Sequence, residues 1–387
     1  MPLPFSSALI RYRRLEKNWS QEGLCEGICA VSYLSKIEQG KAEPGAEILA
    51  RLMERLGVAW QENLRAGTLE EELQEALFSV DQDAQERCYA ELEQTREKWM
   101  QSPQMLELLL LEKLCPQNRE TGEETVPLTA FEECFSERQR GLWLMGEKRF
   151  EEALAYIPEA FVYLECGWQA YRRGDYAKAV EKLLKADALA AQEGRARIML
   201  LARVWLGNCS SAQLDEDGME RHYRTAERLA KDLGEFAILK DLHYNRAATQ
   251  MTLGRYDEAY AYFAAVADPC NMDLHKLAIC LEKQGRAQEA MDVLDRVSAA
   301  RADWPDPKED ELEHKWIESM CELVRFRLEH ADYLRRPEYG DRLISLFEEM
   351  QGELPHGFVL FHLPWVEEWY TASRQYKQAY ELKKQFS

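Results

Sequence analysis

Cysteine has the widest chemistry of any residue type in this chain of 387 residues, because a thiolate can ligate a metal, attack a substrate or form a disulfide. The ten cysteines are scattered, with no Cys-x-x-Cys pair and no histidine at the spacing of a metal site. We interpret them as reduced residues of the core. An alternative is that Cys25 and Cys29, four residues apart on a helix, pair as a redox sensor. The other cysteines are Cys88, Cys115, Cys134, Cys166, Cys209, Cys270, Cys280 and Cys321.

Enzyme signatures are absent from the sequence. It contains no Walker phosphate-binding loop, no Gly-x-Gly-x-x-Gly motif, no His-Glu-x-x-His zinc motif and no Gly-x-Ser-x-Gly nucleophile turn. The pairs Glu313-His314 and His356-Gly357 stand alone, and solvated helix or loop positions explain them. The sequence therefore favours binding over catalysis, and it predicts no metal and no other cofactor.

The net charge of −20 is distributed unevenly along the chain. Residues 1–60 hold eight basic and seven acidic side chains and carry +1, whereas the remainder carries −21. Because DNA is bound by neutralising its phosphates, the acidic remainder leaves the N-terminal segment as the expected point of contact with nucleic acid.

Apolar stretches of the sequence are short. The N-terminus has no basic stretch followed by a long apolar run, and the apolar run 106–111 is interrupted by Glu107 and too short to span a bilayer. We therefore expect a cytoplasmic protein that makes no contact with a membrane.

Four short amphipathic helices account for the N-terminal segment. The pattern predicts a first helix over residues 7–17, a second that begins after the N-cap Ser20, a third over 31–39 and a fourth after Pro44. Two short helices joined by a tight turn and flanked by supporting helices form a helix-turn-helix unit. We therefore expect residues 5–60 to bind DNA.

Residues 19–44, with the sequence WSQEGLCEGICAVSYLSKIEQGKAEP, resemble the Cro/phage-repressor (XRE) family. The hallmarks are Ser-Gln-Glu at the start of the second helix, Leu-Ser-Lys-Ile-Glu-x-Gly in the recognition helix, and a later proline. Residues 27–38 are similar to the variant found in the Gram-positive peptide-pheromone regulators called the RRNPP group. The turn between the second helix and the recognition helix is one residue shorter than in the commonest XRE members.

The resemblance implies roles for individual residues. Arg14 and Glu38 would form a partly buried ion pair that ties the first helix to the recognition helix. Gln21 would contact the DNA backbone, and Tyr33 and Lys36 would reach phosphates or base edges. The residues that would enter the major groove are Ala30, Val31, Ser32 and Ser35. The residues implied to contact DNA are Gln21, Ala30, Val31, Ser32, Tyr33, Ser35 and Lys36.

The side chains at the start of the recognition helix are small. Ala30, Val31 and Ser32 include no Arg, Asn or Gln, so bidentate base recognition is not visible there. Serine hydroxyls and a contact from Val31 to a thymine methyl remain. We expect DNA shape and the spacing of two recognition helices to supply part of the specificity.

A repeated pattern fills the rest of the chain. A small residue, a Gly seven residues later and an Ala five residues further recur in 167–179, 247–259 and 278–290. The step from Gly254 to Gly285 is close to the roughly 34-residue period of a tetratricopeptide repeat, abbreviated TPR. Weaker copies begin at Gly141, Leu206 and Trp369.

These patterns predict an all-α fold, in which an N-terminal helix-turn-helix bundle is followed by a right-handed TPR superhelix. The expected domains are 1–64 for DNA binding, 65–130 as linker helices and the start of the array, and 131–387 for ligand binding and dimerisation.

Stacked TPR helices line a concave groove that binds peptides or partner helices. Asn245, and Asn208 one repeat earlier, fall where TPR clamps hold a peptide main chain, since an amide side chain can both donate to a carbonyl and accept from an N–H. Other inner-face residues could supply pockets and a partner for a carboxylate. The predicted peptide-binding residues are Trp168, Tyr171, Arg172, Asn208, Tyr244, Asn245, His275 and Lys276.

The combination of an XRE domain with a TPR array resembles an RRNPP-type regulator. The resemblance implies a homodimer that binds a palindromic operator in double-stranded DNA and is switched by a short signalling peptide. The main alternative is that the repeats dock a protein partner rather than a peptide. An enzyme with a DNA-binding appendage and an unregulated scaffold with a vestigial groove are further alternatives.

Overall fold

The computed structural model describes residues 2–60, 69–114, 127–299, 307–351, 353–354 and 356–386, with the backbone alone for residues 298–299 and 307–315. Within these ranges the regular secondary structure is helical, apart from one isolated bridge between Gln351 and Leu354. The prediction of an all-α fold is confirmed. The described helices include none with the length and apolar character needed to cross a membrane.

The N-terminal segment folds into the four expected helices. These are α1 (Phe5–Glu16), α2 (Gln21–Cys25), α3 (Val31–Glu38) and α4 (Ala46–Leu56). The first helix begins two residues earlier than predicted, directly after Pro4. Each helix buries one apolar face, because its Leu, Ile and Met side chains recur at helical spacing.

Clustering of backbone contacts divides the chain into two compact units. Unit 1 comprises Met1–Cys166 and Lys185–Ile198, and unit 2 comprises Gly167–Leu184 and Met199–Ser387. The expected domain boundary at 64–65 lies outside the described residues. The expected boundary at 130–131 falls inside a 3-10 helix, Leu128–Cys134, that belongs to unit 1.

The remaining helices follow in chain order. After α4 come α5 (Leu69–Phe78), α6 (Gln82–Trp99), α7 (Met105–Leu114), the 3-10 helix, α8 (Glu137–Gly146) and α9 (Phe150–Ala153). Next are α10 (Ala160–Arg172), α11 (Tyr176–Glu193), α12 (Ala196–Ala212), α13 (Glu216–Leu233), α14 (Phe236–Thr252) and α15 (Tyr256–Phe263). The chain closes with α16 (Asn271–Lys283), α17 (Ala287–Ala299), α18 (Pro307–Glu329), the short 3-10 helix Tyr333–Arg335, α19 (Pro337–Met350), α20 (His356–Ala372) and α21 (Tyr376–Gln385).

Unit 1 has a continuous apolar core that joins the N-terminal helices to the helices that follow them. The rings of Phe5 and Tyr12 in α1 each lie 5.3 Å from the ring of Phe131 in the 3-10 helix. The backbone N–H of Leu3 donates to the carbonyl of Glu133 at 3.0 Å, and Arg11 forms an ion pair with the same glutamate. The helix-turn-helix segment is therefore packed on the rest of unit 1 through α1.

The small residues of the repeat pattern lie where two helices cross closely. A Cβ at Gly167 in α10 would approach Leu183 in α11 to 2.6 Å, and a Cβ at Gly207 in α12 would collide with the ring of Tyr223 in α13. Ala247 is the corresponding residue in the next hairpin, and it is buried. These crossings explain why the sequence pattern requires small side chains there.

The turns inside the hairpins explain why some copies of the repeat are weak in the sequence. Gly254 and Gly285 have φ angles of 77° and 75°, which is the left-handed region that favours glycine. Leu214 and Arg374 adopt the same conformation at equivalent turns, with φ of 59° and 62°. Because the geometry is retained without glycine, the sequence signal is lost at those two turns.

The nine cysteines in the part of the chain that the structure describes carry free thiols. Cys115 lies outside the described residues. Cys270 contradicts the expectation that all are core residues, because it is exposed at the N-terminus of α16. Its thiol and its backbone N–H both donate to Asp273 Oδ2, at 3.2 and 3.0 Å, so Cys270 occupies the N-cap position of α16 rather than the core.

Candidate DNA-binding face and candidate ligand cavity

The recognition helix α3 exposes the face that the sequence predicts to contact DNA. Its buried residues, Leu34, Ile37 and Glu38, point into unit 1. On the opposite face Val31 is 43% exposed. Ala30, Ser32 and Lys36 are also exposed, whereas Tyr33 and Ser35 are half-buried. The hydroxyl of Tyr33 donates to the carbonyl of Glu43 at 3.0 Å, which fixes the ring beside the helix.

Gln39, which is not among the residues predicted to contact DNA, extends this face by one turn. It is exposed, and its Nε2 donates to Ser35 Oγ at 3.2 Å. Lys41 Nζ donates in turn to Gln39 Oε1 at 2.7 Å. The spacing of four residues from Ser35 is the signal that could have revealed Gln39.

A buried ion pair joins the first helix to the recognition helix. Arg14 Nε and Nη2 lie 2.6 and 2.9 Å from the two carboxylate oxygens of Glu38. The hydrogen bond to Glu38 raises the pKa of Arg14, because it stabilises the charged guanidinium. Arg14 Nη1 also donates to the carbonyl of Trp19 at 2.8 Å, so one guanidinium holds α3 and the residue before α2.

Gln21 belongs to the same network. Its Nε2 donates to Glu38 Oε2 at 2.7 Å, and the side chain is half-buried. An amide nitrogen carries two hydrogens, so the second one can donate to a further acceptor. Gln21 can therefore position α2 against α3 and contact the DNA backbone with one side chain.

Two arginines of α4, neither of them among the predicted site residues, hold the turn between α2 and α3. Arg51 Nη2 donates to the carbonyl of Gly27 at 3.0 Å. Arg55 Nη1 donates to the carbonyls of Leu24 and Glu26. These bonds satisfy carbonyls at the end of α2 that have no partner within the helix.

Unit 2 contains a cavity of about 190 Å³. Five of the eight predicted peptide-binding residues line it, and they come from four helices: α10, α12, α14 and α16. They are Tyr171, Asn208, Tyr244, Asn245 and Lys276. The structure thus brings together residues that lie up to about a hundred positions apart in the sequence.

The other three predicted residues do not line the cavity. The guanidinium carbon of Arg172 lies 5.1 Å from the ring centre of Trp168, and Arg172 Nη2 donates to the carbonyl of Glu353 at 3.3 Å. His275 is fully buried, with its ring stacked on that of His362 at 6.4 Å between ring centres. Helical periodicity places these residues near the inner face, but it does not show which neighbour covers each one.

The two asparagines form one hydrogen-bonded network. Asn208 Oδ1 accepts from Tyr223 at 2.5 Å and from Asn245 Nδ2 at 3.3 Å. Thr249 Oγ1 donates to the carbonyl of Asn245 at 2.7 Å and lies 2.6 Å from Ser211 Oγ. In the described part of the chain, Asn208 Nδ2 and Asn245 Oδ1 have no hydrogen-bond partner. The pair therefore offers the cavity a donor and an acceptor side by side.

The start of α20 forms one wall of the cavity, and none of its residues is among the predicted peptide-binding residues. Gly357, Phe358, Leu360 and Phe361 line the space opposite the asparagines. No local pattern could reveal this wall, because it depends on how a distant helix packs against α12, α14 and α16.

Three basic side chains, those of Lys276, His362 and Arg327, are buried close to one another near the α20 wall, and Lys276 itself lines the cavity. Lys276 Nζ lies 3.1 Å from the centre of the Phe361 ring. Burial lowers the pKa of Lys276 to about 7 and the pKa of His362 to about 3, because the charged forms lose their hydration. Arg327 is paired with Glu282 at 2.6 Å, so its charge is compensated.

Two protein families match separate parts of the chain. The family described as Helix-turn-helix matches residues 10–63, and the family described as Tetratricopeptide repeat matches residues 241–308. The first family consists of DNA-binding proteins and is not a family of enzymes. No curated protein matches the chain.

Two solved structures are similar at low identity. One is PlcR of Bacillus thuringiensis in complex with the peptide PapR7 and DNA, at 16% identity and a TM-score of 0.30, covering 62% of this chain and 99% of that one. The other is the apo form of the competence regulator ComR from Streptococcus vestibularis, at 12% identity and a TM-score of 0.30, covering 74% and 99%. The two family matches alone show that the chain carries an XRE-type helix-turn-helix domain followed by tetratricopeptide repeats.

Proposed function

We propose that this protein is an RRNPP-type transcription regulator, which binds DNA as a homodimer and is switched by a short signalling peptide in the cavity of unit 2. Each protomer presents α3 to one half-site of a palindromic operator. Half-sites that are read by paired recognition helices lie about one turn of the DNA double helix apart, or a multiple of it. A change in the separation of the two recognition helices therefore changes DNA affinity. A peptide that favours one separation therefore controls binding.

The observation that carries the peptide assignment is the open donor of Asn208 beside the open acceptor of Asn245. A peptide group presents one carbonyl and one N–H, so it complements this pair whatever its side chain. The cavity volume of about 190 Å³ is sufficient for part of a short peptide, and its aromatic and aliphatic walls can hold side chains.

A binding experiment tests this assignment. Full-length protein is incubated with a random pool of short peptides, and the retained peptides are identified by mass spectrometry and resynthesised. We expect Asn245→Ala to weaken their binding by about tenfold, which corresponds to about 1.4 kcal/mol. Asn208→Asp should act similarly, because it keeps the acceptor for Tyr223 and removes the donor.

The matched control is Gln288→Ala, which removes an amide from the exposed surface of α17. It should bind the retained peptides like the unsubstituted protein. Retention of no peptide, or unchanged binding by both asparagine variants, would contradict the proposed peptide site.

A further inference from the structure

Unit 1 also contains a cavity, with a volume of about 510 Å³. It lies where three helices end. Every described residue that lines it belongs to the last turn of α1, α4 or α6, or to the two residues that follow that helix. Pockets that bind small molecules have volumes of about 300–1,000 Å³, so this cavity is large enough for one.

Five of the described residues that line this cavity are charged, and three of them already have a partner. Arg13 Nη1 lies 2.8 Å from Glu16 Oε2, and both residues line the cavity. Arg96 Nη2 lies 3.1 Å from Glu112 Oε2, which belongs to α7. These two arginines are therefore compensated without a ligand.

The other two charged residues, Lys17 and Glu97, are unpaired. In the part of the chain that the structure describes, neither has a group of opposite charge within 4 Å. Lys17 Nζ lies 5.8 Å from the ring centre of Trp19, which is a weak contact. Lys17 directly follows α1, and Glu97 lies in the last turn of α6. One unpaired cation and one unpaired anion thus line the same cavity from different helices.

The charges around the cavity favour one class of ligand. A helix C-terminus carries a partial negative charge, and three helices end here, so a purely anionic ligand is disfavoured. A purely cationic ligand is repelled by Lys17. A molecule with one cation and one anion complements Glu97 and Lys17 together. The buried Leu56 and Val58 and the half-buried Met100 provide an apolar wall for the rest of the molecule.

We propose that this cavity binds a small zwitterion, namely an α-amino acid with an apolar side chain. Lys17 binds its carboxylate, Glu97 binds its ammonium group, and the side chain packs on Leu56, Val58 and Met100. Because α1 and α4 belong to the helix-turn-helix segment and α6 to the helices that follow, the ligand connects these two parts of unit 1. The site is separate from the proposed peptide site in unit 2 and does not depend on it.

The experiment titrates L-leucine and L-methionine with full-length protein at pH 7 and follows binding by ligand-observed NMR. Each amino acid is compared with two derivatives that lack one charge. The N-acetyl derivative has lost the ammonium group, and the amide has lost the carboxylate. We expect at least one of the two amino acids to bind about tenfold more tightly than both of its derivatives.

Variants assign this binding to the cavity. Lys17→Met and Glu97→Gln should each weaken the binding of the amino acid by about tenfold, and thermal unfolding shows whether each variant is folded. Both side chains are exposed, so we expect little change in stability. The matched controls are Lys98→Met and Glu93→Gln, which remove exposed charges of α6 outside the cavity. Both controls should bind the amino acid like the unsubstituted protein.

Three results would overturn the inference. The first is that neither amino acid binds, and the second is that the derivatives bind as tightly as the amino acids. The third is unchanged binding in both Lys17→Met and Glu97→Gln. Loss of amino-acid binding in Asn245→Ala would also overturn it, because the ligand would then occupy the cavity of unit 2. None of these results depends on whether a peptide binds to unit 2.

Discussion

Glu38 accepts hydrogen bonds from Arg14 and Gln21, so a single buried carboxylate joins α1, the start of α2 and α3. Removing one member of a buried pair leaves an uncompensated charge. We expect Glu38→Ala to lower the free energy of unfolding of full-length protein by about 3 kcal/mol, measured by urea denaturation. The exposed pair Arg13–Glu16 provides the control, because Glu16→Ala should cost less than about 1 kcal/mol. Similar costs for the two variants would show that Glu38 has no special structural role.

Lys36 is exposed on the candidate DNA-binding face of α3. We expect Lys36→Ala to weaken binding to all DNA sequences alike and to reduce the slope of log affinity against log salt by about 1. Fluorescence anisotropy over a salt series measures this slope. Lys283→Ala, which removes a lysine from unit 2, should leave the slope unchanged. A loss confined to one operator sequence would instead indicate that Lys36 reads bases.

Two buried histidines make stability depend on pH. Burial lowers the pKa of His275 well below its usual range and the pKa of His362 to about 3, with the neighbouring charges of Lys276 and Arg327 contributing. Below about pH 6.5 the unfolded chain therefore binds more protons than the folded chain, and the free energy of unfolding falls as the pH is lowered. The double variant His275→Phe and His362→Phe should lose less of its free energy of unfolding as the pH is lowered. Urea denaturation at several pH values measures it, with the exposed His243→Phe as control.

At the scale of elements, the crossing of α12 and α13 sets the position of Asn208. Gly207 allows the Tyr223 ring to lie against the backbone, and Tyr223 donates to Asn208. We expect Gly207→Ala to destabilise unit 2 by about 1–3 kcal/mol, because a Cβ there collides with the ring. Thermal unfolding measures the loss. Gly45→Ala, where an added Cβ meets nothing within 4 Å, should change stability by less, and an equal loss would contradict the crossing argument.

The elements also show what can be predicted from sequence. The positions of the helices were predictable, because apolar periodicity and glycines at the turns between helices are local signals. Gly254 and Gly285 are two such glycines. The weaker hairpins were harder to recognise, because Leu214 and Arg374 adopt the turn conformation without glycine. The wall formed by Phe361 was beyond prediction, because no local pattern reports how α20 packs against α14 and α16.

Repeat register placed Asn208 and Asn245 on the inner face of the repeats, and both line the cavity. It placed His275 on or near the inner face, where α20 buries the ring against His362. The prediction of DNA-contacting residues omitted Gln39, because the family pattern places most of these residues at the start of α3.

At the scale of the whole molecule, dimerisation is required by the proposed reading of a palindrome. Small side chains at Ala30, Val31 and Ser32 offer few base contacts, so one copy of the domain would discriminate poorly. We expect light scattering after size exclusion to report twice the chain mass of 45.1 kDa at micromolar concentration. A mass of one chain, with and without DNA, would contradict the proposed reading of two half-sites.

The link between the cavity and DNA can be measured directly. An operator is selected from random DNA with full-length protein, and its affinity is then titrated with and without a retained peptide. The unsubstituted protein should change its operator affinity by about tenfold or more when the peptide is added. The double variant Asn208→Ala and Asn245→Ala should keep the peptide-free affinity and show no change. An unsubstituted protein whose DNA affinity is the same with and without bound peptide, or a double variant that responds fully, would contradict control of DNA binding by this cavity.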